Sequence, residues 1–106
     1  MYGSYHKILN ASRISATEKN VVVVGNICES GDILSRSGDE ISRTMSSPAI
    51  GERLAFLDTG AYGFSMSSQY NFRPRPAEVL VHQGQSRLIR RAETFEDLTQ
   101  CFVDFN

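Results

Sequence analysis

A thiol next to a carboxylate is a chemically loaded pair, and this chain has one at Cys28-Glu29. A cysteine can act as nucleophile, acid or ligand according to its pKa. The adjacent acid, with Ser30-Gly31-Asp32 after it and Gly25 before it, puts the pair on a glycine-flanked loop. That loop directly follows Val21-Val22-Val23-Val24, the most β-branched run in the chain. A reactive pair on a loop at the end of a hydrophobic strand suits function, since reactive groups favour loops held by rigid elements. Against this stands the plain alternative of a structural cysteine behaving as a small hydrophobe. A second candidate is Tyr62, in Gly60-Ala61-Tyr62-Gly63, where flanking glycines permit close approach of backbone to a ligand. Its alternative is a core tyrosine whose hydroxyl finds a partner.

Several chemistries lack their residues. There is no HExxH, no Walker loop, no GxGxxG and no serine nucleophile elbow. Cys28 and Cys101 form no CxxC and no zinc-spaced set with His6 or His82, and the sequence leaves a disulfide open. The two lysines, Lys7 and Lys19, sit in no apolar context of the kind that makes a lysine an imine-forming nucleophile. A net charge of −1 predicts no broad attraction to nucleic acid or anionic membrane. Arg73, Arg75, Arg87, Arg90 and Arg91 gather in the last third, which fits a solvated strand face. Without a signal peptide or an apolar membrane-spanning run, a reducing cytoplasm is the expected compartment.

The elements that must position these residues come next. A chain of 106 residues, 41% hydrophobic and 22% charged, suits one domain with one modest core. Residues 1–11 alternate loosely, as an edge strand does. Residues 12–20 are polar and predict a loop, Val21–Val24 a central strand, and the Ser- and Gly-rich stretch 35–51 an exposed loop. Arg53–Asp58 predicts a short strand ending at Thr59-Gly60. Across Ala61–Asn71 the spacing of Tyr62, Ser65, Met66 and Gln69 predicts a short helix. Pro74 and Pro76 forbid regular structure in the RPRP run. Ala77–Val81 and Ser86–Arg91 flank His82-Gln83-Gly84-Gln85, a hairpin with a four-residue loop. Thr94 and Asp97 have the spacing of a capping box before a helix from Phe95 to about Cys101. The sum is a mainly β domain with one or two short helices.

Gly25-Asn26-Ile27-Cys28-Glu29-Ser30-Gly31-Asp32 resembles the CESGD signature of the diaminopimelate decarboxylase family. Gly60 to Ser68 with Tyr70-Asn71, and then Arg73-Pro74-Arg75-Pro76-Ala77-Glu78-Val79-Leu80-Val81, resembles that family's second C-terminal block. Leu88-Ile89-Arg90-Arg91, Glu93-Thr94 and Asp97-Leu98 resemble its usual end, and Met1-Tyr2-Gly3-Ser4-Tyr5-His6 the segment that opens the domain. The resemblance covers essentially the whole chain. It implies a β-sandwich or barrel-like C-terminal domain of a fold-type III decarboxylase, residues 1–106, with the cofactor-bearing TIM-type barrel belonging to other sequence. It implies pyridoxal phosphate (PLP) as cofactor, meso-diaminopimelate as substrate and L-lysine and carbon dioxide as products.

It also implies a homodimer in which the cysteine loop of one subunit reaches the cofactor of the other. By position, Cys28 is then the acid that reprotonates the α-carbon. Glu29 receives the substrate's distal ammonium, Tyr62 lies against cofactor and substrate, and Tyr2 helps hold the substrate's distal end. Ser30 and Asp32 hold the loop's shape. The cofactor lysine, the phosphate loop and a substrate-binding arginine are expected upstream. This chain alone is therefore expected to be inactive, and its barrel-facing and dimer-facing surfaces to leave an apolar patch. The alternatives are an interaction or oligomerisation module that keeps the fold without the chemistry, and the C-terminal part of an aspartate kinase–decarboxylase fusion. Relatives acting on ornithine or carboxynorspermidine are a smaller variation on the first reading.

Overall fold

A computed structural model describes residues 4–13 and 17–103. The chain divides into two compact units, 1–66 and 67–106. Among the described residues strands dominate, and helix is confined to two 3₁₀ turns and one short α-helix. The described residues form three sheets, each two-stranded and antiparallel.

In the first unit, strand β1 (Ile8–Asn10) pairs with β4 (Leu54–Phe56), with Ile8 opposite Phe56 and Asn10 opposite Leu54. The alternation of β1 is strict: Ile8 and Asn10 are buried and Leu9 points outward, as a period of two requires. Strand β2 (Glu18–Val21) pairs with β3 (Arg43–Ser46), and Met45 of β3 joins Ile8 in the small core. Asn10 is polar and buried, and its amide bonds at both its nitrogen and its oxygen. Nδ2 donates to Glu52 at 2.7 Å, and Oδ1 accepts from the backbone N–H groups of Ser12 and Arg13, each at 3.0 Å. This closes the turn after β1.

The valine run departs from expectation. Only Val21 belongs to a strand, and β2 begins inside the stretch expected to be a loop. Val22 and Val24 are exposed and Val21 and Val23 half-buried, because successive side chains of an extended run face opposite ways. Val24 keeps a single antiparallel bridge, to Ile33. The 35–51 stretch likewise holds β3, which the sequence Arg-Thr-Met-Ser does not announce. Its place comes from pairing with β2.

In place of a helix over 61–71 there are two single 3₁₀ turns, Phe64–Met66 and Tyr70–Phe72. A continuous helix is blocked where Tyr62, Asn71 and Phe72 take positive φ.

In the second unit, β5 (Glu78–His82) and β6 (Gln85–Arg90) form the expected hairpin, but its loop has two residues. His82 pairs with Gln85, leaving Gln83 and Gly84, both at positive φ (49° and 73°). Positive φ at both central residues is the type I′ geometry, whose twist matches that of paired strands. After β6, helix α1 (Phe95–Thr99) starts on a complete capping box. Thr94 Oγ1 accepts from the Asp97 N–H, and the Asp97 carboxylate accepts from the Thr94 N–H at 2.8 Å.

Phe72 packs edge-on to Phe95 and stacks with Phe102, at ring distances of 5.5 and 6.3 Å. The arginines of this region are not merely solvated. Arg75 pairs with Glu93, Arg90 with Glu78 and Arg91 with Asp97. The Glu93 carboxylate also accepts the Arg75 backbone N–H at 2.9 Å, fastening the extended RPRP arm to the segment after β6.

Candidate active site

The Cys28-Glu29 loop is built on a short antiparallel stalk. Val24 bridges Ile33, the Gly25 N–H donates to the Asp32 carbonyl at 3.1 Å, and the Leu34 N–H donates to the Val23 carbonyl at 2.8 Å. Beyond the stalk the chain makes tight turns rather than an open excursion. The Glu29 N–H donates to the Ile27 carbonyl at 2.8 Å, a γ-turn centred on Cys28. The Asp32 N–H donates to the Glu29 carbonyl at 3.1 Å, a β-turn over Ser30-Gly31. Cys28 and Glu29 are both exposed at this tip.

Two carboxylates serve the loop differently. Asp32 Oδ2 accepts the Ile27 N–H at 2.9 Å, tying the exit of the loop to its entrance one residue before Cys28. Gly25 makes room for this: a Cβ there would lie 2.1 Å from Asp32 Oδ2. Glu29 Oε1 accepts the Gly31 N–H at 2.9 Å and sits 3.4 Å from Ser30 Oγ, so its carboxylate is pre-set over its own turn. These bonds support the loop-shaping parts expected for Asp32 and Ser30.

Tyr62 is on a different loop of the same unit, after β4. Its φ is 58°, in the left-handed region that disfavours side chains, and the residue is 60% exposed. Gly63 is required next to it, since a Cβ there would lie 2.2 Å from the Thr59 carbonyl oxygen, which accepts the Phe64 N–H. Tyr2, the remaining candidate, lies outside the described residues.

The other titratable candidates fall away. Cys28 and Cys101 are both free, exposed thiols. His82 is exposed on the hairpin, and His6 directs Nδ1 to the Leu57 carbonyl at 3.2 Å. Among the described residues no group of His, Cys, Asp and Glu could hold a metal ion, and no helix is long and apolar enough to cross a membrane. Lys7 and Lys19 are exposed, unlike a lysine desolvated for imine chemistry.

Two structural residues of this region are not singled out by the sequence. Ser35 is fully buried, and its Oγ accepts the Val23 N–H at 2.9 Å and donates to the Ile41 carbonyl at 2.6 Å. Arg43 donates to three backbone carbonyls. Both lie in a Ser- and Gly-rich stretch whose composition suggests only solvent.

Residues 1–60 match the family described as pyridoxal-dependent decarboxylase, C-terminal sheet domain. The chain is 50% identical over 99 residues to the diaminopimelate decarboxylase of Methanothermobacter thermautotrophicus, covering 92% of this chain and 22% of that protein. A crystal structure of a diaminopimelate decarboxylase superposes with a TM-score of 0.83 at 47% identity, over 94% of this chain and 25% of that one. The diaminopimelate decarboxylase of M. jannaschii in complex with L-lysine gives 0.79 at 36% identity, over 97% and 23%. The chain thus spans about a quarter of the length of these relatives.

Proposed function

The chain belongs to the C-terminal sheet-domain family of pyridoxal-dependent decarboxylases, and on that premise we propose that it is the C-terminal domain of a diaminopimelate decarboxylase. The observation that carries this reading is the exposed Cys28-Glu29 tip, a thiol and a carboxylate pre-set on a loop braced by Asp32. The described residues offer an acid, an ammonium acceptor and an aromatic wall, and their exposed lysines suit no deeper role. They fit a PLP held by other sequence, with this domain closing over it.

When bound, PLP supplies the electron sink for the pair left by the departing carboxylate. Cys28 then donates its S–H proton to the α-carbon, forming the new C–H bond, and the thiolate regains a proton from solvent. A proton donor set at the right place contributes typically 10²–10⁴-fold. Glu29 is an acceptor-only carboxylate suited to the distal ammonium of meso-diaminopimelate, a charge-assisted bond. Tyr62 forms a wall against cofactor and substrate, and Tyr2 meets the substrate's distal end. The product is L-lysine, with release of carbon dioxide.

The loop reaches the cofactor of a second subunit, so the working unit is a homodimer and this domain by itself does not decarboxylate. The apolar side chains that the hairpin leaves exposed, Val79, Leu80, Val81, Leu88 and Ile89, support burial of this domain against further protein. The test is decarboxylation of meso-diaminopimelate and ornithine, in competition, by the full-length enzyme and by this chain alone. The expected result is selective lysine formation by the first and none by the second. Preference for ornithine, or lysine formation by the isolated chain, would overturn the reading.

A further inference from the structure

The Cys28-Glu29 stalk needs a fixed foundation, and one arginine provides much of it. Arg43 opens β3, opposite Val21, the last residue of β2, at the point where the chain leaves its sheet to become the stalk. Its Nε donates to the Ser35 carbonyl at 2.7 Å and its Nη2 to the Arg36 carbonyl at 3.1 Å, gripping the segment that leaves the stalk. Its Nη1 donates to the His6 carbonyl, just before β1. The guanidinium also lies 4.2 Å from the centre of the Tyr5 ring, within cation–π range. One fork therefore joins β3 to two other segments, residues 5–6 and 35–36.

Ser35 completes the node from inside. It is fully buried, and its hydroxyl holds the Val23 N–H on the entering strand and the Ile41 carbonyl two residues before Arg43. Both sides of the stalk are thus fixed through the Ser35–Arg43 pair, in addition to the backbone bonds across it from the Gly25, Leu34 and Ser35 N–H groups. A lysine has the charge but lacks the planar fork with five donors, so it can meet only part of this geometry.

From this we infer that Arg43, with Ser35, is a positioning residue for decarboxylation, fixing where the loop tip presents Cys28 and Glu29. The inference rests on the proposed function for its catalytic part. Its structural part, that the node holds the stalk, stands separately. A misplacement of a reacting group by about 1 Å can cost about a hundredfold in rate.

The test uses full-length decarboxylase carrying Arg43→Met, Arg43→Lys, Arg43→Ala, Ser35→Ala or Cys28→Ala, with rates expressed per PLP-loaded enzyme. Arg43→Met and Ser35→Ala are expected to lower kcat by about ten- to a hundredfold, with KM raised because Glu29 moves too. Arg43→Lys should fall between these and the parent, and it is the variant to score where Arg43→Met does not fold. Free methylguanidinium is expected to restore several-fold of the lost rate to Arg43→Ala and none to Cys28→Ala, which a general loss of folding would not reproduce. Amide exchange across residues 22–35 is expected to speed up in the Arg43 and Ser35 variants whatever the chemistry does. A kcat within about twofold of the parent in Arg43→Met and Ser35→Ala, or unchanged exchange in both, would overturn the inference. Faster exchange with full activity in Cys28→Ala would instead overturn the proposed function and leave the node standing.

Discussion

Replacing Gly25 with alanine tests how tightly the loop is braced. The new Cβ would lie 2.1 and 2.4 Å from the Asp32 carboxylate oxygens and 2.5 Å from its Cγ. These distances are far inside van der Waals contact, so the carboxylate must leave its seat. In leaving, it gives up the 2.9 Å bond from the Ile27 N–H. A hydrogen bond to a charged group is worth about 1.5–3 kcal/mol, which is roughly ten- to a hundredfold in the local opening equilibrium. Hydrogen exchange of the peptide spanning 26–32 in the folded enzyme is therefore expected to accelerate by about that factor at the Ile27 amide. The informative control is Asp32→Ala. It removes the same bond, so Gly25→Ala in the Asp32→Ala background should add little further. That strong non-additivity is the signature of one shared interaction. Additive effects of the two substitutions, or unchanged exchange in Gly25→Ala, would refute the assignment of Gly25 as the space for Asp32.

Three further outcomes follow from particular residues. Tyr62→Gly relieves a left-handed backbone that costs a side-chain-bearing residue about 1–2 kcal/mol. It should leave thermal stability equal or higher while lowering decarboxylase activity, measured by melting temperature and lysine formation on one preparation. Thr94→Ala breaks the capping box and should destabilise the α1 region by about 1 kcal/mol, whereas Thr94→Ser should restore it; amide exchange over 95–101 reads both. The Arg91 guanidinium bonded to Asp97, with the Thr94 N–H, holds that carboxyl well below the usual carboxylate range. Depression of the folded-state pKa makes its stabilising contribution complete above the unfolded value of about 4, and the contribution is lost as pH falls below it. Melting curves from pH 6 downward, to about pH 2, should therefore show a steeper acid loss for the parent than for Asp97→Asn.

The sequence is most legible where local chemistry decides structure. Thr94 and Asp97 specify a cap within four residues, and Pro74 and Pro76 forbid strand or helix on their own. Gly84 marks the hairpin, though the left-handed Gln83 that shortens its loop to two residues is not visible in advance. Pairing of β2 with β3 is not legible, because Glu-Lys-Asn-Val and Arg-Thr-Met-Ser carry no alternating apolar pattern and find each other through the fold. The valine run misleads for the opposite reason: its hydrophobicity is real, but half of it faces outward.

At the candidate site, Cys28, Glu29 and Tyr62 announce themselves by type and glycine context. Ser35 and Arg43 do not, since they act on backbone groups, and a hydroxyl or guanidinium bound to carbonyls has no signature in composition.

The most direct test of the central claim is the steady-state kinetics of meso-diaminopimelate decarboxylation by full-length enzyme carrying Cys28→Ala or Glu29→Gln. If Cys28 is the proton donor and Glu29 the ammonium acceptor, the first substitution lowers kcat by about 10²–10⁴-fold with PLP still bound, and the second chiefly raises KM. Retention of parental kcat by Cys28→Ala would contradict the account.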